Sequence, residues 1–181
     1  MTHFGLTPIS IGDLLGRLED RMKLLSGLPA DCVFLSAATE NWHLKCPPAD
    51  QFIVLFPESF PVWQGVVTGA GQSFQEAPGE ENLGFDLSLK TVIFTRLNTD
   101  QEFRSSDLFR NTTLGIAGIT NRMLKAYQIW TVPTDDDPDI SYLREPSRIT
   151  GGPTVSHREY EKTFWTLLTT KWEFKFTTTL N

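Results

Sequence analysis

The side chains in this chain best suited to chemistry are three histidines, two cysteines and two clusters of carboxylates. His3, His43 and His157 stand apart from one another, and none falls in the HxH or HExxH spacing that would hold zinc. His43 and Cys46 are three positions apart, which gives two of the four ligands a structural zinc needs. Cys32 sits in an apolar run and Cys46 precedes Pro47 and Pro48. Two thiols in such unlike settings read as reduced cysteines and not as a disulfide framework.

The first acidic cluster holds Glu76, Glu80, Glu81 and Asp86, with no Lys or Arg among them. The second is Asp135, Asp136, Asp137 and Asp139, interrupted by Pro138. A calcium-binding EF-hand loop needs alternating ligands, a central glycine and a closing glutamate. Pro138 and the lack of that glycine and glutamate exclude the match, leaving an irregular calcium loop or, more simply, a solvated turn. No GxSxG elbow, GxxxxGK[ST] loop or GxGxxG turn is present. Gly69-Ala70-Gly71 has no helix after it on which a phosphate could rest. The chain is therefore expected to have no catalytic, cofactor or metal site and not to be an enzyme. A triad assembled from distant positions would be the exception.

Elements that would carry these residues can be read from periodicity. Ile11, Leu14, Leu15, Leu18, Met22 and Leu25 recur at helical steps, predicting a helix over 10–25. Ser10 and Asp13 form its capping signal, and Gly27 and Pro29 its stop. A short strand over 32–35 and a continuous apolar run over 52–56 follow, the latter fitting a strand covered on both faces. Residues 57–84 form a long loop region rich in Gly and Pro. A strand over 84–96 alternates Phe85, Leu87 and Leu89 with Asp86, Ser88 and Lys90, as a sheet with one wet face requires. A second helix is expected over 107–127, weakened by Gly115 and Gly118. Gly151-Gly152-Pro153 reads as a turn. Two closing strands over 160–168 and 171–178 then form a C-terminal β-hairpin around Thr169-Thr170. The fold class is α+β: an antiparallel or mixed sheet with two main helices packed on one face, in a single domain spanning 1–181.

Composition narrows the function classes. The 181 residues carry a net charge of −6, and the 16 Lys and Arg are scattered singly. Such a surface is repelled by nucleic-acid phosphates, so no sequence-specific nucleic-acid binding is expected. No apolar run approaches the ~20 residues that cross a bilayer, so no membrane partner is expected. Among the five tryptophans, Trp165 and Trp172 are candidates for the core. Trp42 and Trp63, in irregular stretches, are candidates for partner contacts.

The order of elements resembles that of the tail terminator family of long-tailed bacteriophages. The resemblance rests on the amphipathic first helix (Ile11 to Leu25) and the short strand leading into the Pro-flanked Phe52–Phe56 run. It continues through the polar-faced strand over 85–96, the central helix over 107–127 and the aromatic closing strand. It implies a structural virion protein forming a homohexameric ring. Such a ring ends the tail tube and joins it to the head, with the tail tube protein and a head-completion or neck protein as partners. The protein would be assembled in the host cytoplasm. Glu76, Glu80, Glu81, Asp86, Asp135, Asp136, Asp137 and Asp139 would then line a lumen that repels DNA. Trp42, Trp63, Gly115 and Gly118 would serve subunit or partner contacts. Another neck or tube protein, a small ligand-binding α+β module, or an enzyme of unrecognised type are the alternatives.

Overall fold

A computed structural model of the chain describes residues 7–36, 49–60, 62–63, 81–97, 116–160 and 163–180. Within them a six-stranded mixed sheet carries two helices, an α+β fold. Helix α1 (Ile11–Ser26) and the short strand β1 (Val33–Leu35) come first. Strands β2 (Gln51–Ser59), β3 (Val62–Trp63) and β4 (Glu81–Leu97) follow. Helix α2 (Ile116–Tyr127) and strands β5 (Arg148–Tyr160) and β6 (Thr163–Leu180) complete the order. The strand order is β1-β2-β4-β6-β5, with β3 paired to β4 off that path. Among the described strands only the β1–β2 pair is parallel.

The ends of α1 follow the sequence signals. Ser10 Oγ accepts from the Asp13 N–H at 3.0 Å and donates to Asp13 Oδ2 at 2.7 Å. Gly27 closes the helix at φ 74, a left-handed position that glycine takes without a Cβ penalty. The stripe Leu14, Leu18 and Met22 is buried against α2 and the sheet. Tyr127 Oη donates to Leu18 O at 2.5 Å, Arg21 Nε to Ala126 O at 3.4 Å, and Arg122 Nε to Ser26 O at 2.6 Å. Rising numbers on α2 meet falling numbers on α1, so the two helices run antiparallel on one face.

On that face Ile53, Leu55, Leu87, Leu89, Ile93, Trp172, Phe174 and Phe176 form the main core with both helices. Tyr127 meets Trp172 and Phe174 edge-on, at centroid distances of 5.4 and 5.5 Å. Thr91 Oγ1 accepts from Trp172 Nε1 at 3.0 Å, so the indole N–H is satisfied inside the core. On the opposite face Phe52 stacks on Phe94 at 4.6 Å and meets Trp165 at 5.4 Å. Val54, Phe56 and Leu167 are buried with them. The 52–56 run is thus covered on both faces, as its unbroken hydrophobicity requires.

The C-terminal hairpin is present, but its turn is not at Thr169-Thr170. Both threonines lie inside β6, paired with Val92 and Thr91 of β4, and β5 meets β6 at the Tyr160–Thr163 pair. β-Branched threonine favours a pleated strand over a tight turn. Likewise Gly151-Gly152-Pro153 is not a turn between elements. It is an irregularity inside β5, with register shifts on either side of Gly151. A Cβ on Gly152, at φ 85, would lie 2.4 Å from Thr169 O, so the backbone approach needs glycine. Pro153 is tolerated because β5 is an edge strand. β2 also runs on through Pro57 to Ser59, with a register shift there.

Candidate functional site on the helix layer

The outer side of α1 and the segment after α2 form a concavity. Residues 129–147 leave α2 and return to β6 through Pro133–Ser141 and Leu143–Phe176 bridges. Backbone bonds from Tyr142 N to Val132 O (2.9 Å) and Arg144 N to Lys175 O (2.8 Å) hold this return. It places Asp135 and Tyr142 beside α1, where they line a groove of about 690 Å³ with Pro8, Asp13, Arg17 and Asp20. Arg17 donates to Asp135 and lies 5.0 Å from the centre of the Tyr142 ring. The hydrogen bond to Asp135, working against burial, raises the Arg17 pKa.

Gly12 and Gly16 also line this groove. A Cβ at Gly16 would meet no atom within 4 Å, and one at Gly12 only Ser10 Oγ at 3.9 Å. Each glycine costs α1 up to about 1 kcal/mol of helix propensity relative to alanine. Their spacing of four, opposite the Leu14/Leu18/Met22 stripe, is the signal by which this surface can be found in the sequence.

Of the expected acidic residues that are described, only Asp135 lines this groove. Asp136 and Asp139 are exposed in the same turn, which is organised locally: Asp137 Oδ1 accepts from Asp139 N at 2.9 Å, and Thr134 Oγ1 donates to Asp137 O at 2.8 Å. Asp86 lies elsewhere, on β4 opposite Lys175 of β6. Glu81 begins β4, while Glu76 and Glu80 lie outside the described residues. Gly118 is buried in α2, and Trp63 sits in β3. Trp42 and Gly115 fall outside the described residues, as do His3, His43 and Cys46. Trp165 and Trp172 are core residues.

Other ionisable groups serve the sheet. Lys90 and Lys171 are cross-strand partners whose like charges would repel. Glu58 bridges them, 3.3 Å from Lys90 Nζ and 3.0 Å from Lys171 Nζ. Burial pushes the Glu58 carboxyl up, but bonds and attraction from the two lysines outweigh it and hold its pKa below 4.5. Beside them Arg148 pairs with Glu173, and Lys175 with Glu145 at 2.7 Å, which keeps the Glu145 carboxyl low as well. Cys32 carries a free buried thiol, its pKa raised by burial and then by Asp31. His157 Nδ1 lies 3.1 Å from Thr166 Oγ1 on the edge strand. Among the described residues no group of three or more His, Cys, Asp or Glu side chains could hold a metal. No described helix is long and apolar enough to cross a membrane. Neither a protein-family model nor a characterised protein sequence matches this chain.

Proposed function

We propose that this protein is a structural component that closes into a ring at the end of a long phage tail, terminating the tube and joining it to the head. The reading is supported by the order of elements. An amphipathic, capped helix leads through a short strand to a doubly covered one, then a long strand, a second helix and a C-terminal hairpin with an aromatic closing strand. Its partners would be further copies of itself, the tail tube protein and a head-completion protein. The Asp135 charge is neutralised by Arg17, so any phosphate-repelling contribution of that turn to a lumen comes from exposed Asp136 and Asp139.

Light scattering across a concentration series, with negative-stain imaging of the largest species, tests this. A closed ring of hexameric mass is the expected result. A strict monomer that added tail tubes also fail to recruit would end the reading. The groove beside α1 favours one other use, a small-molecule module, which a ligand-dependent rise in melting temperature would reveal.

A further inference from the structure

Two β-branched residues stand in the left-handed region of the backbone, Ile129 at φ 60 and Val132 at φ 52. A Cβ crowds the next carbonyl there, and a branched one does so most. Val132 is fully buried in the main core, so packing offsets its strain. Ile129 is 70% exposed. It stands just past the last turn of α2, where helices commonly end in a left-handed glycine, and α1 does end that way, at Gly27. The free chain thus holds a large apolar side chain in a strained backbone and leaves it in water.

The surroundings of Ile129 are apolar and basic. Lys125, one helical turn earlier, is exposed, and the Arg21 guanidinium lies 5.2 Å from the ring centre of neighbouring Trp130. Trp and Arg around an apolar anchor are the usual composition of an interface hot spot. The α1 groove differs in shape and charge: it is hollow over Gly12 and Gly16 and edged by Asp13 and Asp20, with Asp135 paired to Arg17 in its wall.

We infer that Ile129 is a docking knob that enters the α1 groove of a second copy of this chain, with Lys125 and Arg21 facing the carboxylates at its rim. Knob and groove are different patches of one chain, so the contact is head-to-tail, the kind that closes into rings. Only the number of copies rests on the tail-ring reading. The strain at Ile129 is then the cost of presenting an anchor whose reward comes from the neighbour.

The test uses the full chain with Ile129→Asn and Gly16→Leu. Asparagine accepts the left-handed backbone, and a side chain at Gly16 starts in open space, so both variants are expected to melt no lower than wild type. Light scattering should show each losing self-association at least tenfold. Mixed together they should form dimers only, because one intact knob meets one open groove. Variants that assemble like wild type into rings would overturn the inference and leave the ring standing. A wild type that grows into open chains of no fixed size, lost in both variants, would uphold the inference and remove the ring. A wild type that stays monomeric even with tail tubes would overturn both.

Discussion

The two faces of the sheet solve different problems with the same strands. The helix face is dry along its described length, from Ile93 to Phe85 on β4 and from Leu168 to Phe176 on β6. The opposite face is dry around Phe52, Phe94, Trp165 and Leu167, and then turns to Lys90, Lys171, Glu173 and Lys175. β4 therefore alternates apolar and polar residues at one end and becomes continuously apolar at the other. Periodicity reports how many faces are covered, not whether a strand is present.

Substitutions can break that contrast. Trp172→Ala on the helix face should cost about 4–5 kcal/mol in chemical denaturation, since it opens a large cavity and removes one hydrogen-bond partner of Thr91 and one ring contact of Tyr127. Phe52→Ala on the second face should cost about 3 kcal/mol, removing one stacked ring from a smaller cluster. Equal losses would show that the second cluster is as central as the first. Tyr127→Phe keeps the packing and deletes only the bond to Leu18 O, so about 1–2 kcal/mol is expected in the same assay. The charged end should matter least. Glu58 has a folded pKa below its ordinary value, so its contribution is full above pH about 4.5 and fades as pH falls through the lower folded value. Glu58→Gln should remove under about 1 kcal/mol near neutral pH and flatten the acid limb of a pH–stability curve. An unchanged acid limb would mean that the two lysines are held apart by solvent alone.

Much of the frame was legible in the residues. Ser10, Asp13 and Gly27 announce the ends of α1, because caps depend on local hydrogen bonds and backbone freedom. The unbroken 52–56 run announces a doubly covered strand. The hairpin turn was misplaced because Gly151-Gly152-Pro153 has the composition of a turn while sitting in an edge strand whose partner dictates its path. Thr169-Thr170 looked like a break only because polar residues interrupt an aromatic alternation, although Thr170 is fully buried. The groove was harder to see. Its walls come from α1 and from Asp135 and Tyr142, which adjoin only after the chain has returned from α2. Nothing in the local sequence marks Ile129, whose backbone angle is set by the Ile129–Ser147 and Trp130–Ser147 hydrogen bonds.

The place of β6 in the sheet has a consequence for synthesis. It leaves the ribosome after every other described strand, yet it lies between β4 and β5, and its pairing with β4 joins residues as distant as Glu81 and Leu180. Until it arrives, β4 has an open edge, and Leu87, Leu89 and Ile93 lack their main aromatic cover. Nascent chains therefore carry an unfinished sheet until β6 has been made. Folding waits on one late, long-range closure, which is slow by topology and leaves a window in which chaperones or stray strands can compete.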